Sequence, residues 1–94
     1  MNGKSYRRKP KKIVDGDTIE LYTPINGKKF VRLSNIDTPE KGQFGYNKAK
    51  NQLKGMIGGK TITIKSEGNS YNRVVGELYH NRKSVNKRMK KRGW

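Results

Sequence analysis

Alternation of apolar and polar residues predicts the first strand of this chain. Between residues 12 and 22, Ile19 and Leu21 alternate with Glu20 and Tyr22. Such alternation is typical of a strand that is buried on one face and exposed on the other. The pattern therefore indicates a half-buried strand.

A hairpin is predicted to follow this strand. Residues 23–28 are rich in turn-forming residues and contain Asn26-Gly27, one of the strongest sequence signals for a tight hairpin turn. Residues 29–36 should then return as the partner strand, with Val31 and Leu33 on one face. Because successive side chains of a strand point to opposite faces, Arg32 should point away from the core.

The second half of the chain predicts two helices and further strands. Apolar residues recur at helical spacing between 45 and 57, and Gly58-Gly59 should end this helix. Residues 60–65 and 73–79 are predicted strands, separated by a polar loop at 66–72, and a turn at 80–83 precedes a short helix over 85–92. Five strand-sized segments and one sizeable helix predict an α+β, mainly β fold, a small closed five-stranded barrel with one inserted helix and a short C-terminal helix.

Composition adds a strongly basic character to this picture. The 94 residues carry a formal net charge of +16, and 7 Ile, 5 Val, 4 Leu and 2 Phe supply a small core. A charge of this density suits a polyanionic partner. A membrane surface is the rival partner, but no predicted helix is both basic and strongly amphipathic, so no membrane partner is expected. Without cysteine and with one histidine, thiolate and histidine-rich metal sites are excluded.

The N-terminal residues form a separate basic segment. Residues 1–11 are interpreted as a solvated basic tail, and residues 12–94 as the folded domain. No apolar segment follows the first basic residues, so a signal peptide is not predicted. We expect a cytoplasmic protein or a processed secreted form.

Acidic residues are few and are concentrated in two short motifs. The chain has 7 Asp and Glu against 23 Lys and Arg, and four of the acids are Asp15, Asp17, Asp37 and Glu40. Ion pairing that offsets excess positive charge is one interpretation. An EF-hand loop is excluded at residues 15–20, because Ile19 stands at a ligand position. The other open interpretation is a hard-cation site that faces a phosphate held by Arg32 and Arg73.

Several motifs together resemble the staphylococcal nuclease family. They are residues 13–21, 31–33, 36–40, 71–73, Val85-Asn86 and Gly93-Trp94, which stand in the family's order. The resemblance implies a five-stranded OB-type barrel and a calcium-dependent phosphodiesterase that cleaves DNA and RNA with little sequence preference.

The resemblance also implies roles for individual residues. Asp17 and Asp37 would bind calcium through their carboxylates, and Thr38 through its backbone carbonyl. Glu40 would act as general base on the attacking water or orient it. Arg32 and Arg73 would hold the scissile phosphate.

Two further residues have implied supporting roles, and two positions depart from the family pattern. Asp15 would support the metal from outside its ligand shell, and Tyr71 would contact the bound nucleotide. Asn69 and Asn72 stand where family members commonly have Asp and Gly, and the loss of an acid there would free Arg73 or misplace it. The alternative function is a catalytically weak OB-type module that only binds nucleic acid.

Overall fold

A computed structural model of the protein describes residues 4–94, which form seven strands and two helices. In chain order they are β1 (Ser5–Arg8), β2 (Pro10–Asp15), β3 (Thr18–Ile25), β4 (Lys28–Leu33), α1 (Tyr46–Ile57), β5 (Ile62–Ser70), β6 (Arg73–His80), β7 (Lys83–Ser84) and α2 (Val85–Lys91).

The sheet closes into a barrel because its two edge strands are consecutive in the sequence. The strand order is β1-β5-β6-β4-β3-β2, and the short β7 pairs with β6. Only Lys9 separates β1 from β2, and its carbonyl accepts a hydrogen bond from the Tyr22 N–H at 3.3 Å. β1 and β2 therefore act as one bent strand, and with β3, β4, β5 and β6 they confirm the predicted five-stranded OB-type barrel with two helices.

The interpretation of residues 1–11 as a solvated tail was wrong for the part that the structure describes. Residues 5–8 pair with β5 in antiparallel register, and Tyr6 lies opposite Ile64 and packs against the core. The Arg8 guanidinium donates hydrogen bonds to the carbonyls of Arg7 and Thr23. Basic composition concealed a short alternating strand, in which Tyr6 and Arg8 are half-buried and their neighbours are exposed. Residues 1–3 lie outside the described part.

The predicted strand at 12–22 is in fact a tight hairpin. β2 ends at Asp15, β3 begins at Thr18, and these two residues pair across the turn formed by Gly16 and Asp17. Asp15 therefore ends one strand and Asp17 lies in the turn, so the two acids do not belong to one regular strand.

The predicted polar loop at 66–72 was also wrong for most of its length. β5 continues to Ser70, with a shift of pairing register between Ser66 and Gly68, and only Tyr71 and Asn72 form the turn to β6. Pairing with β6 outweighs the low strand propensity of this polar segment. The hairpin at Asn26-Gly27 and both helices occur where they were predicted, within one residue.

One hydrophobic core fills the barrel and lies beneath both helices. Its buried residues include Ile19, Val31 and Leu33 from the strands, Leu53 from α1 and Met89 from α2. Val31 and Leu33 are inside and Arg32 is on the other face, as the alternation predicted. No helix among residues 4–94 is long and apolar enough to cross a membrane.

Candidate active site

Seven of the eight predicted site residues line one cleft of about 450 Å³ at the end of the barrel. These residues are Asp15, Asp17, Arg32, Asp37, Thr38, Glu40 and Arg73. They come from the β2–β3 turn, from β4 and the loop after it, and from the start of β6. The eighth, Tyr71, is not part of the lining; it is 92% exposed in the β5–β6 turn, where its φ is 58°.

Asp17 is the buried acid of this cleft. Its Oδ1 accepts a hydrogen bond from the Thr18 hydroxyl at 3.0 Å, and its Oδ2 accepts one from the Thr38 N–H at 3.2 Å. The same Oδ2 lies 3.4 Å from Nη2 of Arg32. Asp17 thus ties the β2–β3 turn to the loop after β4.

Arg32 is held in place by the chain that surrounds it. Its Nη1 donates to the carbonyls of Leu33 and Ile36, the second at 3.0 Å. Its Nη2 lies between two carboxylates, 3.4 Å from Asp17 and 3.8 Å from Asp37. Backbone contacts on one nitrogen and acids near the other fix the guanidinium at the edge of the cleft.

The remaining candidate residues are more accessible. Asp37 and Glu40 are exposed, and the Glu40 N–H donates to the Gln43 side chain at 2.7 Å. Among residues 4–94, the ion pairs involve neither the Glu40 carboxylate nor the Arg73 guanidinium. Both charged groups therefore face the cleft without a charged protein partner.

The pKa values of Asp15 and Asp17, on either side of Gly16, are shifted in opposite directions. Burial raises the pKa of Asp15 to about 6, and the neighbouring Asp17 carboxylate adds to this rise. Burial also acts to raise the pKa of Asp17, but hydrogen bonds from Asp15 and the Thr38 N–H, together with the charge of Arg32, lower it overall. Asp17 thus remains ionised where Asp15 begins to take up a proton.

The donor atoms of the cleft fit a hard cation. Asp17 and Asp37 both approach the same nitrogen of Arg32, so the space between them favours positive charge. The Thr38 hydroxyl is buried and has no hydrogen-bond partner among residues 4–94. Calcium and magnesium prefer oxygen ligands such as carboxylates and carbonyls. No three His, Cys, Asp or Glu side chains within residues 4–94 are grouped closely enough to bind an ion by themselves, so the two aspartates would hold it together with the Thr38 carbonyl.

Comparison with known proteins decides the family. The model of the family described as staphylococcal nuclease homologue matches residues 30–94. This chain belongs to the staphylococcal nuclease family.

Several similar curated proteins are named as endonucleases. An uncharacterised endonuclease of Haemophilus influenzae is 35% identical over 83 residues, which cover 87% of this chain and 47% of that protein. An uncharacterised endonuclease of Escherichia coli is 35% identical over 69 residues, covering 72% of this chain and 44% of that protein. Endonuclease YhcR of Bacillus subtilis is 35% identical over 82 residues, covering 71% of this chain and 7% of that protein. The chain thus spans less than half the length of these relatives.

The sequence did not reveal which residues position the site in this member of the staphylococcal nuclease family. Asn86 is buried in α2; its side chain accepts from the Leu78 N–H and donates to the carbonyls of Ser34 and Gly76. It therefore anchors the loop that follows β4 and carries Asp37 and Thr38. Asn86 lies in one of the motifs that resemble the family. Its hydrogen bonds reach β6 and the loop after β4, and the motif alone did not predict these contacts.

Trp94 supports the same loop from the other side. The Asp37 N–H donates to the Trp94 carbonyl at 3.2 Å, and the Trp94 indole N–H donates to the Gln52 side chain at 2.7 Å. This connects α1 to the backbone of a candidate metal ligand. Gly93-Trp94 was also among the motifs of the resemblance, without a predicted role.

Gly16 is a further positioning residue, because the hairpin turn packs closely against α1 and Thr38. A Cβ atom at position 16 would lie 2.7 Å from the Ala49 Cβ and 2.9 Å from the Thr38 side chain. Gly16 itself is buried between Asp15 and Asp17. Any side chain there would move the turn that carries both acids.

We therefore expect Gly16→Ala to destabilise the fold and to weaken any activity of the cleft. Overpacking of this kind costs about 1–3 kcal/mol, measurable as a lower midpoint of urea unfolding. Gly55→Ala is the matched control, since Gly55 lies inside α1 and, outside the helix's own backbone, no atom of the described residues lies within 4 Å of its added Cβ. It should stabilise the protein by roughly 0.5–1 kcal/mol. Equal unfolding midpoints for Gly16→Ala and wild type would contradict this packing argument.

Proposed function

We propose that this domain is a calcium-dependent nuclease that hydrolyses phosphodiester bonds in DNA and RNA with little sequence preference. One observation carries the proposal: three aspartates, a glutamate and two arginines line the same cleft of about 450 Å³. A module that only binds nucleic acid has no use for acids there, because they repel phosphate. Family membership and the endonuclease names of its relatives support the same conclusion.

Arg32 and Arg73 supply the binding site for the scissile phosphate. Attack on a phosphodiester increases the negative charge on the phosphoryl oxygens, and guanidinium groups stabilise such charge through paired hydrogen bonds. Arg32 is already fixed by backbone carbonyls, so little reorganisation is needed during the reaction. Arg73 lies in the same cleft without a carboxylate partner in the described chain.

Glu40 is the candidate for proton transfer. Its carboxylate is exposed and lines the cleft, where it can accept a proton from the attacking water or orient that water. A positioned base of this kind typically accelerates a reaction by about 10²–10⁴-fold.

Asp17, Asp37 and the carbonyl of Thr38 are the groups that would hold the cation. A bound calcium ion would supply positive charge that stabilises the phosphoryl oxygens and lowers the pKa of water. Calcium suits this donor set better than magnesium, because calcium accepts variable geometry and magnesium requires a near-ideal octahedron. Asp15 accepts a hydrogen bond from the Asp17 N–H at 3.1 Å and so keeps the turn in place.

The first test is cleavage of DNA and of RNA in calcium by wild type and by Arg32→Lys. A lysine cannot reproduce the two-pronged contact of a guanidinium with phosphate. We expect wild type to degrade both substrates and Arg32→Lys to lose about 10²–10³-fold in rate, as for removal of one charge-stabilising donor. Arg82→Lys, at an exposed turn outside the cleft, should retain the wild-type rate.

Two other outcomes would change the interpretation. Tight binding of both nucleic acids by wild type without cleavage would favour the binding-module alternative. In a parallel Arg73→Lys variant, near wild-type turnover would show that the Asn69 and Asn72 departures have already displaced Arg73 from catalysis.

A further inference from the structure

A second cleft, whose charged lining residues are all lysines, lies along the seam between β2 and α1. It measures about 420 Å³, and its lining includes Lys11 and Lys12 on one wall and Lys50 and Lys54 on the other. None of the seven Asp and Glu of the chain lines it. The cleft therefore concentrates positive charge apart from the acids of the candidate active site.

A β-bulge turns two consecutive lysines of β2 towards the same side. Successive side chains of a regular strand point to opposite faces, yet Lys11 and Lys12 are both exposed and both line the cleft. The pairing register with β3 shifts between Pro10 and Lys12, and bulges re-aim side chains in this way. Local backbone geometry thus brings a second positive charge to this wall.

The opposite wall is organised by the helix and by an aromatic ring. Lys50 and Lys54 are four residues apart and so share one face of α1. The Lys50 Nζ lies 5.6 Å from the centre of the Tyr46 ring, and the Tyr46 hydroxyl donates to the Val14 carbonyl of β2 at 2.8 Å. A cation–π contact on an anchored ring restricts the Lys50 side chain before any ligand arrives.

Nothing acidic in the described protein neutralises this charge. The ion pairs among residues 4–94 are Lys29–Glu20, Arg32–Asp17 and Arg32–Asp37, and they involve none of the four lysines. Four clustered ammonium groups repel one another, and a row of phosphates relieves this repulsion while it releases condensed counterions.

We propose that this basic cleft binds the phosphate backbone of the substrate nucleic acid beyond the scissile phosphate, an inference that rests on the proposed nuclease function. β2 connects the two sites, since Lys12 lines the basic cleft and Asp15 lines the candidate active site. At a rise of about 3.3 Å per residue, these residues are roughly 10 Å apart along the strand. The basic cleft therefore lies close enough to the candidate active site to hold phosphates within a few nucleotides of the bond that is cut.

The test measures binding without cleavage, in chelator, as a function of salt. The probe is single-stranded DNA longer than the roughly 4–16 nucleotides that one OB fold covers. Lys50→Gln/Lys54→Gln should weaken binding and reduce the slope of log affinity against log salt by about 1.4, since each phosphate contact contributes about 0.7. Lys65→Gln/Lys83→Gln removes two exposed lysines outside the cleft and should leave the slope unchanged. Cleavage of a dinucleotide in calcium should be equal in all three proteins, because it reaches only the candidate active site.

The proposal is overturned if both double variants show the same slope of log affinity against log salt, whether or not that slope is lower than in wild type. The positive charge would then act diffusely over the surface and not at a defined site. Loss of affinity for anionic phosphatidylserine vesicles in Lys50→Gln/Lys54→Gln, with DNA binding intact, would overturn it in favour of a membrane surface. Failure of wild type to cleave the dinucleotide would count against the proposed nuclease function alone, since the binding comparison does not depend on cleavage.

Discussion

In Glu40→Gln, cleavage of nucleic acid is expected to fall by about 10²–10⁴-fold while binding remains as tight as in wild type or becomes tighter. The substitution keeps the shape of the side chain and removes its ability to accept a proton. Glu40 is exposed and its carboxylate has no ion-pair partner within the described residues, so the fold should not change. One negative charge fewer beside the phosphate favours binding.

The measurement compares rate and affinity for Glu40→Gln, wild type and a second glutamine variant. Glu20→Gln is the control, because Glu20 lies on β3 outside the cleft. Its ion pair with Lys29 is long, at 3.7 Å, and the lysine side chain is 56% exposed, so the pair has little energetic value. We expect Glu20→Gln to cleave at the wild-type rate. Wild-type cleavage by Glu40→Gln would remove Glu40 from the mechanism, although the rest of the cleft could still be catalytic.

Local patterns predicted those parts of the fold that depend on near neighbours in the sequence. The alternation around Arg32 correctly placed Val31 and Leu33 inside and the guanidinium outside. Asn26 and Gly27 adopt positive φ values of 49° and 80°, as the hairpin signal requires. In each case the responsible interaction lies within a few residues.

Features that depend on distant partners were missed. Tyr6 becomes part of a strand only because β5 lies beside it, and Ser66 to Ser70 extend β5 only because β6 pairs with them. The hairpin turn at Gly16 is stabilised by the Thr38 N–H that donates to Asp17, 21 residues away. Tertiary pairing of this kind overrides composition and leaves no periodic signal.

The candidate site was predicted as a set of residues, and its supporting contacts were not. The two acidic motifs stand out because acids are scarce in this chain, and the family resemblance named the residues that line the cleft. The contacts of Asn86 and Trp94 with the loop after β4 could not be predicted, since each joins parts of the chain that only the fold brings together.

Removal of the metal is expected to abolish cleavage. Three basic side chains line the cleft, those of Arg32, Lys41 and Arg73, but so do four carboxyl groups, those of Asp15, Asp17, Asp37 and Glu40. Without a cation, these acids would repel the phosphate on which the reaction takes place. A chelator should therefore stop the reaction, and added calcium should restore it.

The Asp37→Asn variant should change the calcium requirement of cleavage without unfolding the protein. The Asp37 side chain is 95% exposed, so its replacement should not unfold the protein. It removes one of the two candidate carboxylate ligands and should raise the calcium concentration needed for half-maximal cleavage. Trp94, the sole tryptophan, accepts a hydrogen bond from the Asp37 N–H through its carbonyl, so its fluorescence offers an independent reading of calcium binding.

The most direct measurement is therefore plasmid degradation by the wild-type domain in calcium, in magnesium and in chelator, with Asp37→Asn assayed in parallel over a calcium titration. The proposed mechanism predicts cleavage in calcium, none in chelator, full recovery when calcium is returned, and a higher calcium requirement for Asp37→Asn. Equal degradation in chelator and in calcium would contradict it.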